Sequence, residues 1–295
     1  MPPKGFTVKA ATPKPAEPEW DYDAIKERMR GKSIVFCLPG RSCSYTFLKS
    51  FVQLCFDLVQ NQMSIQISQD YSSMVNFARC KVLGANVLRG PWQEPWDGKL
   101  PYDWQLWIDN DIVFNSEKFW QLCDLAVKKE PFEKEFDKNE YPLWNVSDVE
   151  LNAMAKSDLN VRREKIRRLS INVNPMVSAW YSTEDGHTTS CAHWLEADEF
   201  VKNGGVMNHE TIESISRRKK PFSVDYTGGG FMMISKGVFE NLRYPWWGPK
   251  LQAFENGIED FCGEDVSLSK DVQELGIDIL VDPRIRVGHE KLRTI

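Results

Sequence analysis

The sequence between residues 33 and 128 alternates short apolar runs with longer segments of helical periodicity. The predicted strands are 33–40, 64–69 and one around Trp107, and the predicted helices are 46–61, 74–88 and 116–128. This alternation constrains the fold more than any other feature, because parallel strands need crossover connections and these are usually helices. It predicts an α/β fold with a mainly parallel sheet and helices on both faces.

Composition and charge restrict the class of protein. The 295 residues are enough for one large domain or two small ones, and the net charge of −5 argues against a nucleic-acid binder. No apolar segment is long enough to span a bilayer and the first residues lack a signal-peptide core, so we expect no transmembrane segment and a cytoplasmic location. The seven cysteines form no CxxC pair, which predicts buried, reduced thiols.

Several further segments have clear local signals. Residues 1–20 are rich in Pro, Lys and Ala and are predicted to be a disordered tail. Residues 130–170 are predicted to be a charged insert, with one helix at 147–168 whose basic end is a solvated face. Additional predicted elements are a helix at 22–30, a strand at 176–182, a helix from 264 to 276, and strands at 277–281 and 285–287.

The stretch "DWQLWIDNDIVF" places two carboxylates at the end of an apolar strand. Asp109 and Asp111 flank Asn110 and are close enough to repel each other. Either they cap a turn, or they share a cation at the open end of the strand. Ligands of open parallel sheets bind beyond the carboxyl ends of the strands, and both this turn and the loop 39–41 lie at such ends.

The last third of the chain contains three more polar or glycine-rich signals. Three glycines, 228–230, interrupt a strand pattern where backbone has to pass close to another group. Gly263 is followed by Glu264 and Asp265 at a predicted helix start, where favourable capping alone explains the two acids. His289 follows a short strand near the carboxyl terminus, where a single histidine is usually a surface residue.

Together these motifs resemble a known family. The segment 33–291 contains an acidic turn, a glycine-rich strand, a Gly-Glu-Asp sequence and a Gly-His sequence, in that order. In this order of motifs it resembles the GT-A glycosyltransferases, especially family two and its relatives in large DNA viruses and bacteria. The Gly-Glu-Asp and the histidine also resemble elements of β-1,4-galactosyltransferases. The resemblance implies one GT-A catalytic domain over 21–295, with a Rossmann-like mixed sheet, and a viral relative would act in the host cytoplasm. The insert at 130–170 has no counterpart.

The resemblance implies a metal-dependent enzyme that moves a sugar from a nucleotide-sugar donor to a hydroxyl of a glycan or glycoprotein. Most members of the family use a UDP-sugar as the donor, and a GDP-sugar is the alternative. Asp109-Asn110-Asp111 matches the DxD motif, in which Asp111 binds a divalent cation on the donor's diphosphate and Asp109 contacts ribose or a metal-bound water. His289 matches the family's histidine ligand. A nitrogen ligand beside oxygen ligands favours Mn²⁺ over Mg²⁺.

The resemblance also assigns the proton transfer. Asp265 matches the family's general base, which takes the proton of the acceptor hydroxyl as it attacks the anomeric carbon, with inversion. Glu264 orients the acceptor or the base, and the exchanged assignment of the two carboxylates is the alternative.

Further positions are assigned to the donor. Pro39, Gly40 and Arg41 match the loop that cradles the nucleotide base, and Asp70 ends the strand where base or ribose is read. Arg79 resembles a basic residue facing the nucleotide or its phosphates, with an ion pair on a helix face as the alternative.

The donor sugar is assigned to two later segments. Gly229 and Gly230 would lie under the sugar. Trp246 and Trp247, between prolines, would belong to a loop that closes over it and keeps water out; packing against the sheet is the alternative.

Two other classes of protein remain open. A nucleotidyltransferase or metal-dependent phosphoesterase could use the same acidic pair, although such sites usually cluster more carboxylates around two metals. A non-catalytic sugar-binding or protein-binding module could retain the fold as a scaffold.

Overall fold

The computed structural model describes residues 20–127 and 141–291. The predicted tail lies, apart from residue 20, outside the described residues, and so does the part of the predicted insert before residue 141. In the described residues the strands, in chain order, are β1 (Ser33–Pro39), β2 (Ser64–Asp70), β3 (Trp104–Ile108), β4 (Ile112–Val113), β5 (Met176–Trp180), β6 (Thr188–His193), β7 (Asn208–Thr211), β8 (Phe222–Val224), β9 (Tyr226–Thr227), β10 (Phe231–Ser235), β11 (Lys250–Ala253), β12 (Glu259–Cys262), β13 (Ile279–Arg286) and β14 (Gly288–His289). The helices are α1 (Tyr22–Met29), α2 (Tyr45–Gln60), α3 (Val75–Val82), α4 (Ser116–Ala126), α5 (Asp148–Ala153), α6 (Leu159–Asn172), α7 (Ala197–Lys202), α8 (Ile212–Arg217) and α9 (Glu264–Glu274).

The central sheet has seven strands in the order β2-β1-β3-β10-β5-β13-β8. β1 is parallel to both β2 and β3, and β13 is parallel to β5. β10 lies antiparallel between β3 and β5, and β8 is antiparallel to β13 at one edge. The predicted α/β class, a mixed and mainly parallel sheet flanked by helices, is therefore confirmed.

The central strands are apolar because helices cover both faces of the sheet. All five residues of β3 are buried, and alternate residues enter different cores. Leu106 belongs to a core built with α2 and α4, whereas Trp107 belongs to a second core built with α3 and α9. Burial on both faces replaces the polar alternation of a one-sided sheet with a continuous apolar run.

Short loops and caps set several element boundaries differently from the sequence prediction. Helix α3 ends at Val82 rather than near residue 88, because Gly84 has a φ of +65° and a separate 3₁₀ turn follows at Val87–Arg89. The predicted strands at 277–281 and 285–287 form one strand, β13, with an irregularity in its pairing.

The single predicted helix 147–168 is wrong: two helices occupy this segment. Ser147 begins α5 with a reciprocal capping box to Glu150, and Asp158 caps a second helix, α6. The basic end of α6 is not simply a solvated face. The fully buried Glu164 accepts hydrogen bonds from Arg167 and Arg168, so two of the arginines neutralise a charge inside the protein.

No helix in the described ranges combines the length and the hydropathy that crossing a bilayer requires.

Candidate active site

The acidic turn and the carboxyl-terminal histidine meet at the carboxyl end of β3. The turn leaves β3 after Ile108, and β4 then pairs antiparallel with β14, with Ile112 opposite His289. As a result His289 Nε2 lies 3.1 Å from Asp111 Oδ2, across 178 residues of sequence. The pairing of two-residue strands therefore brings together the two side chains that the sequence assigned to one cation.

Asp111 also has a lysine neighbour. Lys291 Nζ donates to the same carboxylate oxygen at 3.0 Å. The imidazole of His289 packs edge-on against the ring of Tyr181, with centroids 4.7 Å apart, which fixes its orientation.

Arg79 is a buried cation at the centre of the acidic cluster. It is 2% exposed, and its Nη2 lies 3.0 Å from both carboxylate oxygens of Asp109. Its Nε lies 3.5 Å from Glu264 Oε1. Burial disfavours the charged guanidinium, but the surrounding carboxylates outweigh burial and raise the pKa of Arg79. Arg79 therefore points toward the predicted acidic turn and does not form an ion pair on the exposed surface of a helix.

The carboxylates around Arg79 repel one another. Burial raises the pKa of Asp109, with further contributions from Asp111 and Asp265, against the opposing effect of Arg79. Burial and Asp265 likewise raise the pKa of Glu264. More negative than positive charge is thus concentrated in one place, an arrangement typical of functional sites.

Glu264 and Asp265 form the first turn of α9, whose amino-terminal cap is Gly263. Asp265 Oδ1 accepts from the backbone N–H of Val266 at 2.9 Å, and Asp265 Oδ2 accepts from the hydroxyl of Tyr226 at 2.9 Å. Capping is therefore part of the explanation for these acids, but the tyrosine contact also directs Asp265 into the cluster.

The three glycines provide close approach between backbone and side chains. A Cβ on Gly230 would lie 2.9 Å from both Ile112 and Tyr181, and a Cβ on Gly228 would lie 2.5 Å from the Tyr181 hydroxyl. Gly229 has a φ of +66°, and its Cβ position is 3.8 Å from Arg79 Nη1. That Nη1 atom is buried without a hydrogen-bond partner.

The loop after β1 lines a separate cavity of about 130 Å³, which contains Pro39, Gly40, Arg41 and also Asn110. The Gly40 N–H donates to Asp70 O at 3.0 Å, which joins the ends of β1 and β2. The structure thus brings the predicted base-binding loop beside the middle residue of the acidic turn. Asp70 neighbours this loop but does not line the cavity.

The prediction that Trp246 and Trp247 belong to a loop closing over a sugar is wrong. Both side chains are 0% exposed and pack in the core with Phe239. The Trp247 ring lies 4.7 Å from the Arg79 guanidinium and 4.8 Å from the Trp107 ring. These tryptophans are core residues, and Trp247 supports the buried cation through a cation–π contact.

Two tyrosines of the cluster were not predicted. Tyr181 follows β5 at the same edge of the sheet as the acidic turn, and Tyr226 comes just before the three glycines. Burial raises the pKa of both hydroxyls, and the Asp109 and Asp265 carboxylates respectively add to this. The position of Tyr181 at the end of β5 was a usable signal, since strand ends at one edge of an open sheet converge. Tyr226 lies on β9, outside the central sheet, and had no such signal.

The residues present suit a cation only as part of a larger ligand set. No group of three or more His, Cys, Asp or Glu side chains that could hold an ion occurs within residues 20–127 and 141–291. Asp109 is paired with Arg79 and is not grouped with the other two candidate ligands. Asp111 and His289 would provide one oxygen and one nitrogen, which fits an ion that takes its other ligands from a bound diphosphate and water.

Comparison with known proteins gives no family. No family model matches the chain, and no curated protein matches it. Among 27 matching chains of solved structures is the one titled "Crystal Structure of A197 from STIV". It is 13% identical, with a TM-score of 0.37, over 90% of this chain and 96% of that chain.

Proposed function

We propose that this protein is a metal-dependent, inverting glycosyltransferase of the GT-A type that transfers a sugar from a nucleotide-sugar donor, a UDP-sugar, to an acceptor hydroxyl. The observation that carries the proposal is the 3.1 Å contact between Asp111 and His289 beside the cluster of Arg79, Asp109 and Glu264. These residues come from distant parts of the chain and meet where an open sheet binds its ligands.

A divalent cation would be held by Asp111 and His289. Bound there with the donor's diphosphate, it would stabilise the negative charge that develops on the leaving nucleoside diphosphate. Mn²⁺ suits this mixed oxygen and nitrogen pair better than Mg²⁺, which prefers oxygen ligands.

Arg79 is suited to binding the donor's phosphates. Its buried Nη1 atom has no hydrogen-bond partner among the described residues and lies next to Gly229. Asp109 and Trp247 hold the guanidinium in place from other directions. A fixed cation of this kind binds a phosphate without reorganisation.

Asp265 is suited to accepting the proton of the acceptor hydroxyl. The Tyr226 hydroxyl holds one of its oxygens at 2.9 Å, which orients the carboxylate. Direct attack by a hydroxyl that this base activates gives inversion at the anomeric carbon. Glu264, whose pKa is raised by burial and by Asp265, can donate a hydrogen bond when it is protonated.

Release of UDP from a panel of UDP-sugars, and of GDP from a panel of GDP-sugars, tests the proposal. We expect slow release without acceptor, dependence on Mn²⁺, and loss with EDTA. A phosphoesterase would cleave simple phosphate esters equally well, and a scaffold would release nothing from any donor; either result would contradict the proposal.

Two substitutions separate binding from transfer. Asp111→Ala should abolish the Mn²⁺-dependent thermal stabilisation by UDP. Asp265→Asn should keep that stabilisation but lower the transfer rate by about 10²–10⁴-fold, the usual contribution of a general base. Asp278→Asn, at an exposed position beyond α9, is the matched control and should do neither. Normal transfer by Asp265→Asn would exclude this residue as the base.

A further inference from the structure

A second cavity, of about 250 Å³, lies beside the α9 amino terminus. Its lining includes Gly263 and Val266, which flank Glu264 and Asp265 in sequence. It also includes His209, whose ring packs edge-on at 6.2 Å against the ring of Tyr226, the tyrosine that donates to Asp265. The wall of this cavity is thus connected to the proposed base through one aromatic ring.

The cavity walls are mainly apolar. Four aromatic residues contribute to the lining, namely Trp194, Phe200, Phe254 and Phe261, and the rings of Phe200 and Phe254 stack at 4.7 Å. Val206 and Phe261 are exposed to solvent at 52% and 66%. Exposed apolar side chains beside a cavity are characteristic of a ligand site.

Some polar atoms of the lining already have partners in the protein. His209 Nδ1 lies 3.0 Å from the carbonyl of Thr189, and Asp260 Oδ1 accepts from the backbone N–H of Phe261 at 2.7 Å. The ammonium of Lys270 lies 4.8 Å from the Trp194 ring, and burial lowers the pKa of Lys270. Because the walls are mainly apolar, a free sugar would bury hydroxyls here against groups that cannot hydrogen-bond, which is unfavourable.

The volume suits an apolar group of one ring or a branched chain. A dry protein cavity of about 150 Å³ already accepts benzene, and this cavity is larger and open to the exterior through the hairpin of β11 and β12.

We propose that this cavity binds an apolar aryl or alkyl group of the acceptor and thereby places the neighbouring acceptor hydroxyl at Asp265. The proposal rests on the proposed function, and it restricts the acceptor to hydroxyl compounds that carry such a group next to the hydroxylated part. The cavity itself contributes binding and orientation, and the proton transfer remains at Asp265.

Calorimetric titration with phenyl β-glucoside and with glucose, at saturating UDP and Mn²⁺, tests the proposal. We expect phenyl β-glucoside to bind at least about tenfold more tightly than glucose, because burying one ring contributes that much or more. Equal affinities for the two compounds would overturn the proposal.

A matched pair of substitutions locates the binding site. Phe261→Ser should weaken the binding of phenyl β-glucoside about tenfold. It should not unfold the protein, because the Phe261 side chain is exposed. Leu251→Ser changes the residue directly opposite on the hairpin, which is 63% exposed but does not line the cavity, and should leave affinity unchanged. Val206→Asp, which adds a charge to the lining, should weaken binding as Phe261→Ser does. If neither lining variant weakens binding, the proposal fails.

UDP release in the same samples distinguishes this proposal from the function on which it rests. Phenyl β-glucoside should accelerate UDP release by the wild-type protein and by Leu251→Ser, but not by Phe261→Ser, whose basal release should be unchanged. Mn²⁺-dependent release without any preference for the phenyl compound would overturn the cavity assignment alone. No release with any donor would overturn the proposed function and the acceptor role of the cavity together.

Discussion

At the scale of single residues, the site depends on the positively charged guanidinium of Arg79, which is buried from solvent. Arg79 has carboxylates on two sides and a tryptophan ring on a third, and its Nη1, which has no hydrogen-bond partner among the described residues, lies beside Gly229. Removing it would leave Asp109 and Glu264 facing each other without a counter-charge.

We therefore expect Arg79→Met to lower the free energy of unfolding by about 3–5 kcal/mol, the usual effect of removing one partner of a buried ion pair. Urea denaturation at neutral pH measures this. Adding Asp109→Asn to the variant should recover part of the loss, since it removes one stranded carboxylate. Arg217→Met, which breaks an exposed pair with Glu213, is the control and should change stability by less than about 1 kcal/mol.

The raised pKa of Glu264, caused by burial and by Asp265, gives a prediction for pH. The folded protein holds this proton more tightly than the unfolded chain does. The stability that Glu264 contributes is therefore full below the ordinary glutamate pKa and is lost as the pH rises through the raised folded-state value.

Glu264→Gln removes this loss. We expect the Tm of Glu264→Gln minus the Tm of the wild type, both measured by calorimetry, to become more positive from about pH 4 to about pH 8. Glu117→Gln, also in a helix's first turn but exposed, is the control and should not gain Tm relative to the wild type over the same range. A relative Tm that falls for Glu264→Gln as the pH rises would contradict the assignment.

The acidic members of the cluster could be predicted from sequence, but their aromatic neighbours Trp247 and Tyr226 could not. Charged residues at a strand end or helix start are conspicuous, because burial of a carboxylate needs a reason. Trp247 and Tyr226 give no such signal: the sequence "YPWWGP" fits an exposed loop as well as a core segment. Tertiary packing decides between them, and no local pattern encodes it.

At the scale of elements, the glycine segment between β9 and β10 fits against Tyr181. The nearest atom to a Cβ on Gly228 would be the Tyr181 hydroxyl, whereas a Cβ on Gly230 would meet ring carbons and Ile112. Removing the hydroxyl oxygen of Tyr181 would remove the steric conflict at Gly228. It would not remove the conflict at Gly230, because the ring carbons and Ile112 would remain.

We expect Gly228→Ala to destabilise the protein by about 1–3 kcal/mol, the range for overpacking. Combining it with Tyr181→Phe should remove most of this loss, because the remaining neighbours lie at 3.4 Å or beyond. Gly230→Ala with Tyr181→Phe should recover nothing. Thermal denaturation of the three single and two double variants measures the coupling; recovery in both doubles would refute the steric explanation.

Regular elements were predictable where the periodicity was strong. Strands β1 and β2 and helices α1 and α2 begin and end within one residue of the predicted bounds. The break between α5 and α6 was missed because the segment contains no glycine or proline, and only the capping residues Ser147 and Asp158 mark two helix starts. The small strands β4 and β14 were not predictable, because two residues carry no periodicity and their pairing is entirely long-range.

At the scale of the whole molecule, the pairing of the two-residue strands β4 and β14 completes the candidate site. Without β14 there is no imidazole beside Asp111, yet Val287 and the core strand β13 remain in place.

A chain that ends at Val287 should therefore stay folded, with a Tm lower by only a few degrees, about the effect of 1 kcal/mol. It should lose all Mn²⁺-dependent stabilisation by UDP. A chain that ends at Lys291 is the control and should keep that stabilisation. Thermal shift with and without UDP and Mn²⁺ provides the measurement, and retained stabilisation in the shorter chain would exclude His289 as a ligand.

The separation of 178 positions between Asp111 and His289 also matters during synthesis. A ribosome builds the polypeptide from its amino end, so the acidic turn exists long before its histidine partner is translated. Prematurely terminated products that stop short of position 289 would carry the acidic cluster without the imidazole. Translation therefore supplies the carboxylate of the proposed ion site well before its imidazole.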